Sequence, residues 1–144
     1  MNSLLDTGII IRYLRQTRRA ADLLDYLESL GEISVSTITY MEIMLNCKPE
    51  EELVTKLLFD RVPPLAVTRE IAEKSASLIR KYPIVFGKNN PRGFPDALIA
   101  ATAWEQGSTL ITLNSRHFTL APISELIIRA IDQNARDWVD VLAN

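Results

Sequence analysis

Four side chains in this sequence have the chemistry to work together: Asp6, Glu42, Asp96 and Asn114. Asp6 follows the apolar run Ser3-Leu4-Leu5, and Glu42 lies one helical turn beyond Ile33-Ser34-Val35-Ser36. Asp96 stands behind Pro95 at the mouth of Phe94-Pro95-Asp96-Ala97-Leu98-Ile99-Ala100-Ala101-Thr102-Ala103-Trp104, and Asn114 closes Thr109-Leu110-Ile111-Thr112-Leu113. Each has a plain structural reading. Asp6 reads as an N-cap, and Glu42 as the partner of Thr39 in a capping box. Asp96 reads as the acid a helix dipole favours in its first turn, and Asn114 as a turn residue. The joint reading is different. Three carboxylates brought together raise one another's pKa values or force the cluster open. A hard divalent cation removes that conflict, and Mg²⁺ and Mn²⁺ prefer oxygen ligands. Such an ion polarises a phosphoryl oxygen and lowers the pKa of a bound water. One histidine and one cysteine, Cys47, offer no softer ligand set.

The elements that must position these groups alternate in type. Ser3-Leu4-Leu5 reads as a short buried strand. Ile9-Ile10-Ile11 is ambiguous, since β-branched residues favour strands while Leu14 lies on a helical repeat from Ile10 and Ile11. Ala20, Leu23, Leu24, Leu27 and Leu30 form the apolar stripe of a helix that Gly31 is placed to end. Ile33–Ser36 alternates as a strand, and a helix follows with Thr39-Tyr40-Met41-Glu42 at capping-box spacing. Pro49 breaks it, and a further helix runs from Glu50 to Phe59 through Leu53, Leu57 and Leu58. Leu65-Ala66-Val67 is a brief strand. Thr68 caps a helix with Ile71, Ala72, Ser75, Leu78 and Ile79 on one face. Residues 87–93 form a loop by turn chemistry. Pro95 suits the first turn of the Asp96 helix, which Gly107 ends. Leu126-Ile127-Ile128 reads as a strand, and Ala135, Trp138 and Leu142 have helical spacing. Short apolar strands alternating with helices predict an α/β fold, a central parallel β-sheet covered on both faces. In such a sheet, functional groups gather beyond the carboxyl ends of the strands.

At 144 residues the chain is expected to be a single domain with a real core. Apolar residues make up 47% and charged residues 24%, the balance of an ordinary globular protein. The net charge of −2 excludes an overall basic footprint for nucleic acid but leaves room for local basic patches. A lone cysteine excludes an internal disulfide and a cysteine-based zinc site, and a reducing, cytoplasmic location is the default. No run reaches the roughly 20 apolar residues of a membrane span. The start, with Asp6 early and no basic leader, does not read as a signal peptide.

Ser3-Leu4-Leu5-Asp6-Thr7, then Ser36 to Glu42, then Asp96 to Ala103, then Leu110-Ile111-Thr112-Leu113-Asn114 with Phe118, together resemble the ordered motif set of PIN-domain proteins. The compact length is similar to the VapC-type toxins of toxin–antitoxin pairs. The resemblance runs from about Met1 to Phe118. It implies a three-layer PIN fold and a Mg²⁺- or Mn²⁺-dependent endoribonuclease that cleaves RNA by water attack. Asp6, Glu42 and Asp96 would form the acidic metal site, with Asn114 in the fourth position, where the family uses Asp or Asn. Thr7 and Thr112, and less directly Ser115, would orient carboxylates or water. A homodimer is implied, as is a cognate antitoxin that inserts an arginine or lysine near the acids. The helices Glu50–Phe59 and Thr68–Lys81 are expected to wall its groove. The tail after Phe118 carries little motif information, and its helix around Trp138 is expected either on a dimer partner or on the chain's own core.

RNA brings negative charge to a negative site, so basic residues are expected nearby. Arg12 and Arg15 follow Asp6, with Arg18 and Arg19 beyond them. Lys88 and Arg92 precede Asp96, and Arg116 and His117 follow Asn114. Two other readings compete. Asp6-Thr7-Gly8 matches the active-site triplet of dimeric aspartic proteases, which demands an all-β chain with a glycine-rich flap; only five glycines are present. A PIN-like domain that binds RNA or protein without cutting is the other.

Overall fold

Ser3–Leu5 forms the strand on which the sheet is laid (β1), and all three residues are buried, as a strand covered on both faces requires. The computed structural model describes residues 1–87 and 90–144. From β1 the chain runs through α1 (Thr7–Leu14), α2 (Arg18–Leu30), β2 (Ile33–Ser36), α3 (Thr37–Leu45), a 3-10 turn (Pro49–Glu51), α4 (Glu52–Arg61) and β3 (Pro64–Leu65). It continues through α5 (Arg69–Lys81), α6 (Pro83–Phe86), α7 (Gly93–Gln106), β4 (Thr109–Thr112), α8 (Ser115–Phe118), β5 (Ile128–Ala130) and α9 (Trp138–Ala143).

The strands pair in the order β3-β2-β1-β4-β5, every neighbour parallel. The expected α/β/α sandwich around a central parallel sheet is thus formed. Period-two alternation divides the strand residues between two cores. Leu5 and Ile111 join Ile9, Leu23, Leu24 and Leu58 on one face. Leu4 and Leu110 join Ile71, Leu78, Ala97 and Ala100 on the other. Small residues let α7 lie close to the sheet: Ala97, Ala100, Ala101 and Ala103 are fully buried. Gly107 ends α7 in the left-handed region, φ 63°, where an L side chain is strained. Gly31 ends α2 for another reason. Its backbone is extended, but an added Cβ would stand 2.2 Å from the Met1 carbonyl oxygen.

Several expectations are corrected. The ambiguous Ile9–Ile11 is helix, because Asp6 caps α1 and Ile9 and Ile10 bury completely. The capping box at Thr39 does not form. Ser36, the residue that leaves the extended strand, caps α3 instead, its Oγ accepting from the Ile38 N–H at 3.0 Å. Leu53 and Leu57 of α4 face outward, and Leu58 with Phe59 makes the core contact. Ala72 of α5 is exposed, while Ile71, Ser75 and Leu78 bury. The α4 and α5 helices do not wall one groove: α4 packs into one core and α5 against α7 in the other. The tail completes the chain's own core. β5 pairs with β4, and Trp138 is fully buried beside the α2 leucines with the Arg19 guanidinium 4.9 Å above its ring.

Candidate active site

In the strand order the chain steps outward from β1 in both directions, and the crevice at such a switch lies beyond the carboxyl ends of β1 and β4. Asp6 leaves β1 there, held by its N–H to the Ile111 carbonyl at 2.9 Å. Its Oδ1 accepts from the Thr7 N–H at 2.8 Å, as a cap should, and its Oδ2 accepts from Thr112 Oγ1 at 2.6 Å. The same Thr112 oxygen accepts the Asn114 N–H at 2.9 Å. Thr112 therefore ties the end of β1 to the end of β4.

Glu42 reaches the crevice from α3. Thr7 Oγ1 donates to its Oε1 at 2.8 Å, and Thr39, whose hydroxyl lies 3.0 Å from Thr7 Oγ1, supports that contact from behind. Arg92 takes the rest of the carboxylate, with Nη1 to Oε2 at 2.6 Å and Nη2 to Oε1 at 3.1 Å. Asp96, on the first turn of α7, is 1% exposed. Asn90 Nδ2 donates to its Oδ2 at 3.1 Å and Asn114 Nδ2 to the same oxygen at 3.3 Å. Among the described residues Asp96 Oδ1 is buried with no hydrogen-bond partner, and Arg92 Nε stands 3.5 Å away. The Asn114 amide oxygen faces His117 Nδ1 at 3.1 Å, so the amide offers its nitrogen to the acids.

Electrostatics follow from this packing. Burial, then the Asp6 charge, pushes Asp96 up to about 6. Burial also raises Asp6, against hydrogen bonds from Thr112 and Thr7. Burial would raise Glu42 too, but hydrogen bonds from Arg92 and Thr7 outweigh it and hold that carboxyl below its ordinary range. An orphaned, buried carboxylate oxygen beside a second buried aspartate is a place where a cation fits, and the donors are hard oxygens. Among the described residues, however, no group of three carboxylate, imidazole or thiol side chains is arranged to hold a metal ion as it stands.

Residues 3–122 match the PIN domain. The chain is 34% identical to "Ribonuclease VapC19" of Mycobacterium tuberculosis, over 83% of this chain and 94% of that one. The chain belongs to the PIN-domain family. Among solved structures, a toxin–antitoxin complex from Klebsiella pneumoniae is 30% identical, with TM-score 0.68 over 88% of this PIN chain and 99% of that one. VapBC2 from Rickettsia felis, bound to a DNA fragment from its promoter, shares the PIN fold at TM-score 0.74 and 22% identity, over 92% of this chain and all of that one. The all-parallel sheet rules out the aspartic-protease reading of Asp6-Thr7-Gly8, since the triplet sits at a strand-to-helix junction.

The structure gathers Asp6, Thr7, Glu42, Asp96, Thr112 and Asn114 in this PIN domain, whereas Ser115 starts α8 and accepts from the Thr119 hydroxyl and N–H through its backbone carbonyl. The basic residues divide. Arg12 donates at 3.0 Å to Oε1 of Gln133, which lines a cleft of about 440 Å³ together with Asp6, Arg92, Asn114 and His117. Arg15 lines a separate cleft between α1 and α3, and Arg116 is exposed on α8. Lys88 lies outside the described residues. Arg92 is paired with Glu42, its side chain partly exposed at the cleft. Asn90 was missed as a site residue. Its one signal was local: Oδ1 accepts the Arg92 N–H two residues on, at 2.9 Å, the Asx turn that an Asn before Pro91-Arg92 favours. Among the described residues no helix is long and apolar enough to cross a membrane.

Proposed function

We propose that this chain is a VapC-type endoribonuclease, a single PIN domain that hydrolyses RNA phosphodiesters with a bound Mg²⁺ or Mn²⁺ and is neutralised by a cognate antitoxin. The observation that carries the reading is the Asp96 oxygen that has no hydrogen-bond partner among the described residues, buried beside Asp6 at the switch point of the sheet. Asp6 and Asp96 would hold the ion, with Glu42 and Asn114 completing its surroundings. When bound, such an ion supplies an activated water and polarises the phosphoryl group. The chain's own residues supply position. Thr112 fixes Asp6, Thr7 fixes Glu42, and Asn90 fixes Asp96. His117 lines the cleft where the phosphodiester would lie, Arg12 is hydrogen-bonded to Gln133 of the same lining, and Arg116 stands one residue from His117.

The antitoxin reading is supported by the relatives' complexes and by an unpartnered apolar surface on α3 and α4. A homodimer and a cytoplasmic location rest on the family resemblance and on the lone cysteine. The test is cleavage of total RNA by the purified chain with Mg²⁺, with EDTA, and with Asp96→Asn. Cleavage is expected with Mg²⁺ alone, and the variant should lose orders of magnitude of activity while keeping its fold. Equal cleavage by the chelated protein or by the variant would overturn the metal-site assignment and favour adventitious nuclease over a PIN active site.

A further inference from the structure

We propose that Arg92 is the resident counter-ion of the acidic site, a cation that holds Glu42 in the metal-free protein and must release it before Glu42 can join Asp6 and Asp96 around a divalent ion. This rests on the metal-nuclease reading above and assigns a positioning residue within it. The Arg92 fork fits Glu42 with two hydrogen bonds, at 2.6 and 3.1 Å, the planar geometry in which arginine binds carboxylate best. With Thr7 also on Oε1, both Glu42 oxygens are engaged. Toward Asp96 the same guanidinium offers charge without a bond, its Nε 3.5 Å from the partnerless Oδ1. Glu42 is thus satisfied by arginine and Asp96 is not. That division accounts for the finding that, among the described residues, no three acids are arranged around one point.

The contact is built to exchange. The Arg92 backbone is fixed, its N–H held by Asn90 Oδ1 at 2.9 Å and its carbonyl by the Asp96 N–H at 2.8 Å. The side chain is 43% exposed and borders the open cleft, so it can turn to solvent without moving the helix start. Among the described residues, one guanidinium against three carboxylates leaves negative charge in the crevice, enough to draw a divalent cation that then competes with Arg92 for Glu42.

The experiment is calorimetric titration of Mn²⁺ into the wild-type chain, Arg92→Gln, Arg92→Lys and Asp96→Asn, with melting temperatures measured in EDTA and in saturating Mn²⁺. Arg92→Gln should bind Mn²⁺ about tenfold tighter, the worth of one good charge-assisted contact. Arg92→Lys should fall between the two. In EDTA Arg92→Gln should melt below wild type, and the difference should close in Mn²⁺, because the ion then does the arginine's work. If Arg92→Gln is unfolded in EDTA, the proposal requires that Mn²⁺ restore it; a variant that stays unfolded overturns the proposal. Mn²⁺ affinity equal to or weaker than wild type in Arg92→Gln also overturns it. With Asp96-dependent binding intact in the wild type, that result removes Arg92 alone. Binding that survives Asp96→Asn unchanged, or that neither wild type nor Arg92→Gln shows, removes the metal reading and Arg92's role with it.

Discussion

Asp96 sets a pH dependence that can be read without any substrate. Its carboxyl sits near 6 in the folded chain against an ordinary value of 3.8. Below about pH 4 folded and unfolded chains both hold the proton. Between there and about 6 the unfolded chain releases it while the folded chain keeps it, so metal-free stability falls as pH rises through that window and stays reduced above it. The gap is worth up to about 3 kcal/mol, and Asp6, raised in the same direction, adds to the trend. Asp96→Asn removes the buried charge. In EDTA at pH 8 it should therefore be more stable than wild type by about 1–3 kcal/mol, an excess that fades toward pH 4. Urea melts of both proteins across pH 4 to 8 would show it, and parallel pH profiles would mean that Asp96 ionises without cost. The acids were legible in the sequence because strand and helix ends announce themselves by composition. Arg92 was not: its partner Glu42 lies fifty positions away, and charge alone placed it on RNA.

At the scale of elements, α7 decides where Asp96 stands. Its fully buried alanines allow close approach, so added volume must push the helix off the sheet. Ala100→Leu should cost about 1–3 kcal/mol of stability and weaken Mn²⁺ binding together. Ala72→Leu, on the exposed side of α5, should stay within about 0.5 kcal/mol. Denaturation and ion titration on the pair would separate a packing effect from a helix-propensity effect, which both substitutions share. Long elements such as α2, α5 and α7 could be read from periodicity because each spans three turns or more. The four-residue α6 and α8 could not, being too short to show a period. The start of α3 was misplaced because Ser36 and Thr39 are equally good caps by type, and only the end of β2 chooses between them.

For the molecule as a whole, the surface carries an imbalance that the two cores do not explain. Met41 and Leu45 on α3, and Leu53, Val54 and Leu57 on α4, are each more than half exposed, with Leu45 at 78%. Beside them a cleft of about 330 Å³ runs between α1, α3 and the start of α4, and Glu42 lines it. Side chains of this size at helical spacing normally bury, and leaving a leucine in water forgoes about 1.5–3 kcal/mol. A partner helix that covered them would recover that free energy and end beside the acids. The double variant Leu53→Glu, Leu57→Glu touches neither core, so the isolated chain should fold and cleave RNA as wild type does. If the chain is the toxin proposed above, its complex with the antitoxin should weaken by at least about 100-fold, since central apolar anchors carry most of such an interface. A binding titration of both proteins with the antitoxin would show it. If the variant is neutralised as well as the wild type, the antitoxin covers some other face, and the apolar strip on α3 and α4 must meet a different protein, the second copy of this chain being the first to test.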